Sequence, residues 1–182
     1  MSGVNRVSAT RVNGLESRLA AGFTLIELIV VIALVSVLAV TALDRLFYYQ
    51  ERAEKAVMDA TLAAVKMGLR IRLAELTVTN KQNVAAELER ENPMRWLDEP
   101  PANYAGEYRA PGARGTWYFA TQARQLVYVP NNTSYLRWEQ PEGERELRFQ
   151  VKLRYDEMET AGGKSKSPAG IAIIASRPYR WF

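Results

Sequence analysis

Side chains able to do chemistry are scarce in this chain, and their scarcity narrows its function. Its 182 residues include no cysteine and no histidine. That removes disulfides, thiolate nucleophiles and thiolate zinc sites, and with them the commonest general base and metal ligand. Asp156, Glu157 and Glu159 form a small acidic cluster beside a glycine-bearing loop, without the alternating oxygen-ligand spacing of a calcium loop. Ser165 and Lys166 could form a Ser–Lys pair, but they fall in the polar stretch 160–170, which is expected to be flexible. Gly112-Ala113-Arg114-Gly115 reads as a turn rather than a phosphate loop. Glu142, Glu144 and Glu146 alternate along an expected strand edge and read as solvated. No enzyme activity, cofactor or metal is therefore expected. The carboxylate that stands out is Glu27, the single charge within the apolar run Phe23–Leu43.

That run, FTLIELIVVIALVSVLAVTAL, spans about 30 Å as a helix, the thickness of a bilayer's hydrocarbon core. Arg6, Arg11 and Arg18 precede it, and Asp44-Arg45 closes it. The positive-inside rule then places residues 1–22 in the cytoplasm and exports the rest. A secretory signal has a shorter apolar stretch, with its small-residue site after that stretch. Here the obvious small residues, Ala20-Ala21-Gly22, come before it. A plain single-span anchor leaves Glu27 unexplained, because an intramembrane carboxylate costs about 3 kcal/mol at the membrane centre and usually has a partner.

Gly22-Phe23-Thr24-Leu25-Ile26-Glu27-Leu28, leading into the long apolar run, resembles the processing site of type IV prepilins and type II secretion pseudopilins. The resemblance implies cleavage after Gly22 by a membrane-embedded prepilin peptidase, and N-methylation of Phe23 as the new amino terminus. It gives Thr24, Leu25, Ile26, Glu27 and Leu28 a role in assembly. The physics of Glu27 agrees, since the Phe23 amine lies one helical turn away. Within one subunit the two could pair; in a filament the carboxylate of one subunit could instead meet the amine of the next, and pairing relieves a solvation cost that neither chain relieves alone. The implied partners are the peptidase, other pilin or pseudopilin subunits, an inner-membrane assembly platform and membrane lipid. Two features depart from the family. The leader is long, and no proline interrupts the helix before Pro93.

The elements that position this site follow from pattern. Ala53, Ala56, Val57, Ala60, Ala63, Ala64, Met67, Ile71 and Ala74 recur at spacings of three and four, which extends the helix from Phe23 to about Leu76 and nominates these residues as its buried stripe. Glu51 and Lys55 read as an exposed i,i+4 pair, and Gly68 as a tolerated weak point. Asn80 is the expected N-cap of a short helix ending near Glu91. Residues 92–115 read as an ordered loop anchored by Trp96, Leu97, Tyr104 and Tyr108. Strands are expected at 116–120 and 125–129 as a hairpin, at 134–139, and at 146–155 with Leu147, Phe149, Val151, Leu153 and Tyr155 buried. Pro141–Glu144 reads as a turn, and Ile171–Ala175 as a last, buried strand.

The expected fold is α+β and pilin-like: a long amino-terminal helix with an antiparallel sheet packed on its outer half. Its segments are a leader (1–22), a membrane or filament-core helix (23–43), the amphipathic continuation (44–76), a short helix and loop (77–115) and a sheet region (116–182). Hydrophobic residues make up 48% and charged residues 24% of the chain, which argues for a folded domain rather than disorder. The net charge of +4 is modest, and residues 1–22, with three arginines against Glu16, supply half of it, so no nucleic-acid partner is expected. The expected function is a structural, minor subunit of a type IV pilus-like filament or type II secretion pseudopilus. Such a subunit sits in the bacterial inner membrane with a periplasmic domain until it enters a periplasmic or surface filament. The rivals are a single-pass periplasmic sensor that keeps its leader, and a secreted domain cut after the apolar run.

Overall fold

The structure, a computed structural model, describes residues 23–139, 145–160 and 163–182, with backbone alone at 158–160 and 163–165. The leader and the expected turn at Pro141–Glu144, with Glu142 and Glu144, lie outside the described residues. The chain divides into two units, one ending at Ala42 and one spanning Leu43–Phe182.

Helix α1 runs Leu25–Val78, 54 residues. It ends in a Schellman motif. Asn80 adopts φ 54°, the Asn80 amide donates to the Thr77 carbonyl at 3.2 Å, and the Lys81 amide donates to the Leu76 carbonyl at 2.8 Å. Asn80 therefore closes α1 and does not open the next helix. Asn tolerates the left-handed region better than other side chains, which suits it to this position. A 3-10 helix, Gln82–Glu89, follows Lys81 with no side-chain cap.

The buried face of α1 is not the alanine stripe. Glu51, Met58, Val65, Leu69, Leu73 and Leu76 are buried, whereas Ala53, Ala56, Val57, Ala60, Ala63, Ala64, Met67, Ile71 and Ala74 are exposed. Both sets have helical spacing, and the larger side chains remove more apolar area from water per position. Glu51 is drawn into that face, so the expected Glu51–Lys55 pair does not form. Lys55 instead pairs with Asp59 at 2.5 Å.

Gly68 is required rather than tolerated. A Cβ there would clash with the carbonyl oxygen of Trp96. Trp96 ends the 3-10 helix Pro93–Trp96, which Asn92 caps by accepting from the Met94 amide at 3.0 Å. Arg72 lies over the Trp96 ring, 4.8 Å from its centroid. Helix propensity favours Gly68→Ala by about 1 kcal/mol, but the clash opposes it with about 1–3 kcal/mol of overpacking. Urea denaturation should show a net loss of stability, and a gain would refute this packing.

Among the described residues seven strands follow: β1 Tyr104–Glu107, β2 Thr116–Ala120, β3 Gln125–Val129, β4 Leu136–Trp138, β5 Leu147–Thr160, β6 Gly163–Ala175 and β7 Tyr179–Trp181. Five form one sheet in the order β1-β2-β3-β5-β6, and β4 pairs with β7 in a second. The β2–β3 hairpin forms with Trp117 opposite Tyr128. Three features depart from expectation. β1 lies within the expected loop and pairs parallel to β2, so the sheet is not wholly antiparallel. The strand expected at 134–139 is shorter and sits outside the main sheet with β7. The expected flexible stretch 160–170 instead supplies strand from Gly163 onward, carried by the long ladder to β5.

One face of the main sheet packs on α1 through Trp117, Leu126, Tyr128, Leu147, Phe149, Val151, Leu153 and Ile171. The other face is solvated only in part. Segment 108–115 covers β2 and β3, burying Tyr118, Ala120, Val127 and Val129 beside Tyr108. The Tyr118 hydroxyl accepts from the Ala113 amide at 2.9 Å. Along β5 the alternation holds through Leu153, but Tyr155 is 46% exposed because the buried core ends at Leu153 and Ile171. The expected last, buried strand is β6, but of Ile171–Ala175 only Ile171 is buried: β6 is the edge of the sheet, and Ile174 and Ala175 are exposed. Glu146 is not solvated. It accepts from the Tyr108 hydroxyl, and from Arg148 at 3.0 Å.

Two carboxylates join α1 to the strands. Glu51 Oε1 accepts from the Tyr135 amide and from Trp181 Nε1, both at 2.9 Å. Glu54 Oε1 accepts from the Tyr128 hydroxyl at 2.8 Å and from the Asn131 amide at 2.6 Å. Burial, with the Glu54 hydrogen bond and charge, pushes the Tyr128 phenol far above its ordinary range. Burial and the Asp59 charge push Tyr179 up to about 12. A raised phenol in the fold means the folded chain holds its proton more tightly than the unfolded chain. This stabilisation is complete below about pH 10, the unfolded value, and is lost as pH rises through the folded values. The urea midpoint should therefore decline above about pH 10. Tyr128→Phe should flatten that decline, and an unchanged slope would remove Tyr128 as its source.

Candidate processing and assembly site

The residues nominated for processing and assembly stand at the start of α1. Gly22 lies outside the described residues. Phe23 is 80% exposed and precedes the first helical residue, Leu25. Thr24 is the N-cap. Its hydroxyl oxygen accepts from the Glu27 amide at 3.3 Å, and its carbonyl accepts from the Leu28 amide at 3.1 Å. The pattern Thr24-x-x-Glu27 is that of a capping box, a helix-start signal local to the sequence. It starts the helix two residues after the proposed cleavage point, so Phe23 stays outside the helical ladder.

Glu27 occupies the first turn of α1. A carboxylate there meets the positive end of the helix dipole, worth about 0.3–1 kcal/mol. That is well short of the roughly 3 kcal/mol cost of a carboxylate at a membrane centre. The cap therefore offsets part of the cost of Glu27, which lies near the start of the apolar run rather than at its centre. Leu25, Ile26 and Leu28 are exposed beside it.

α1 is long and apolar enough to cross a membrane, with a window of mean hydropathy 2.8 of which 0% is buried. The hydroxyls in this segment are satisfied within the helix. Ser36 donates to the Ile32 carbonyl at 2.7 Å and Thr41 to the Leu38 carbonyl at 2.9 Å. Such back-bonding removes the cost of an unpaired hydroxyl in lipid. From Leu25 to Leu43, Glu27 is thus the only residue whose side chain carries charge.

The acidic cluster is not arranged as a loop. Asp156, Glu157 and Glu159 all lie on β5, in register with Ser167, Lys166 and Lys164 of β6. Asp156 and Glu157 point to opposite faces of the strand, so they cannot converge on one ion. Ser165 and Lys166 lie on β6 rather than in a loop.

Comparison with curated proteins yields no match, and none is found among solved structures. Residues 17–43 match the family model described as the prokaryotic N-terminal methylation motif. The matched stretch contains Gly22-Phe23, the Thr24 cap, Glu27 and the exposed apolar helix. The chain carries the prepilin-type signature of a type IV pilin-like or pseudopilin-like precursor.

Proposed function

We propose that this chain is a minor structural subunit of a type IV pilus-like filament or type II secretion pseudopilus. A prepilin peptidase cuts it after Gly22 and methylates the Phe23 amine. The observation that carries this reading is the methylation motif at 17–43 lying in frame with a helix that is exposed and apolar from its first turn. The absence of cysteine supports a subunit without the disulfide-closed region common in surface pilins. Glu27 supports a position other than the extreme tip of a secretion pseudopilus, where that carboxylate is characteristically lacking.

Residues 23–43 span the inner membrane before assembly, with residues 1–22 in the cytoplasm and the Leu43–Phe182 unit in the periplasm. On extraction by the assembly platform, the apolar helix exchanges lipid for neighbouring subunits. Thr24 to Leu28 form the docking turn, and Glu27 accepts the Phe23 amine of the adjoining chain. The chain thus acts by assembly rather than by catalysis. Co-expression with a prepilin peptidase tests the processing step. The wild-type chain should shorten, and Gly22→Leu, whose side chain crowds the scissile bond, should stay full length. Equal shortening of both would refute cleavage at Gly22.

A further inference from the structure

One end of the Leu43–Phe182 unit carries an aromatic cluster that the core does not absorb. Tyr48 packs edge-on against Tyr49, Tyr135 and Phe182, with centroids 5.4, 5.2 and 5.5 Å apart. Tyr135 and Phe182 stack at 5.3 Å. The Arg52 guanidinium lies 5.6 Å from the Tyr48 ring and 5.8 Å from that of Phe182. Yet Tyr49 is 61% exposed, Phe47 57%, Tyr135 41% and Phe182 39%. A grouped apolar surface of this kind marks an interaction site.

Position along the chain indicates what covers it. The apolar run ends at Leu43. At 1.5 Å per residue, Phe47 to Tyr49 follow it by about 6–9 Å. The headgroup layer outside the hydrocarbon core is about 5–8 Å thick on each side. Rings with an apolar body and a polar tip are enriched there. Tyr135 and Phe182 flank the β4–β7 pair and meet the Tyr48 ring from that sheet.

Charge agrees with the same occupant. Arg137 and Arg180 are directly opposite each other across β4 and β7, and both are exposed. Like charges so placed destabilise a sheet unless an anion meets them, and neither has a carboxylate partner among the described residues. Arg45 and Arg52 are exposed nearby in sequence, where Asp44 is the sole exposed acid of residues 43–52. Each basic residue near an anionic membrane surface adds to attraction.

We propose that this end of the folded unit, with the aromatic cluster at its centre and the arginines around it, is a contact for anionic lipid headgroups. It rests on the reading of 23–43 as a membrane span. Before assembly, the β4–β7 sheet lies on the bilayer surface, and leaving for a filament requires breaking that contact.

Because the chain has no cysteine, single-cysteine fluorescent labels test this in the full chain. Ser36→Cys reports the span, Ser134→Cys the sheet contact, and Val78→Cys a control about 44 Å along the helix from Tyr49. The probes are vesicles of brominated phosphatidylcholine with and without phosphatidylglycerol. The Ser36 label should be quenched, and the Ser134 label quenched about threefold more than that at Val78. Phosphatidylglycerol should increase the Ser134 quenching, and Arg137→Glu with Arg180→Glu should abolish that increase. If Ser36 is quenched but Ser134 matches Val78, the headgroup contact is overturned and the span stands. If Ser36 is not quenched, both fall.

Discussion

Glu51→Leu is expected to destabilise the Leu43–Phe182 unit by about 2–4 kcal/mol, although leucine suits an apolar site better than a carboxylate does. The reason lies in the donors it would abandon. One oxygen of Glu51 accepts from both the Tyr135 amide and the indole of Trp181. Trp181 is only 3% exposed, so its N–H has no access to bulk water once its acceptor is gone. An orphaned buried donor costs about 1–3 kcal/mol, and this substitution creates one in full and a second in part. Glu51→Gln keeps an acceptor oxygen and forfeits only the charge assistance, so it should cost about 1 kcal/mol. Urea denaturation followed by tryptophan fluorescence separates the two. Equal stability of the Leu and Gln variants would show that Glu51 does not hold the β4–β7 sheet to α1.

Glu27→Ala should leave processing intact while sharply reducing incorporation into filaments. Removing one partner of a poorly solvated ion pair costs about 3–5 kcal/mol, which corresponds to a more than hundredfold loss in the docking equilibrium. The competing explanation is weakening of the helix itself. Loss of the dipole interaction accounts for about 0.3–1 kcal/mol, and the Thr24 cap remains, since the Glu27 backbone amide is its donor. A 54-residue helix does not melt for so small a change. The processed, membrane-bound chain should therefore accumulate, detected by the ratio of pelleted filament to membrane fraction. Normal assembly would mean that Glu27 does not meet the Phe23 amine of a neighbour.

The amino-terminal motif was easier to read in the sequence than the packing was. The apolar run, the motif from Gly22 to Leu28 and the length of α1 are local patterns, and local patterns survive without knowledge of what packs where. The β2–β3 hairpin and the alternation from Leu147 to Leu153 were legible for the same reason. The buried face of α1 was not. Alanines and larger apolar residues follow the same helical period one or two positions apart, and the choice between them depends on which face the sheet covers. Glu51 obscured that face further, because a glutamate at a helical position reads as solvated until Trp181, far along the chain, supplies its donor. β1 was hidden by its shortness and by Gly106 within it, and its parallel pairing needs a partner that pattern alone does not name. The strand content of Gly163–Gly170 was masked by Lys, Ser, Pro and Gly. Those residues disfavour strand locally, and the long ladder to β5 overrides them.

At the candidate site, the roles of Gly22, Phe23 and Glu27 came from resemblance, whereas the Thr24 cap was open to a purely local reading. Thr three residues before Glu, just ahead of an apolar run, is a helix-start signal in any protein. The methylation motif and the helix cap share residues here, so the proposed assembly chemistry and the folding chemistry fall on one turn.

The most direct test of the central claim is intact mass with amino-terminal sequencing of the chain purified from its native membrane. The account predicts a chain beginning at Phe23, heavier by one methyl group than the unmodified sequence from that residue. A chain that begins at Met1, or one that begins near Leu43, would contradict it.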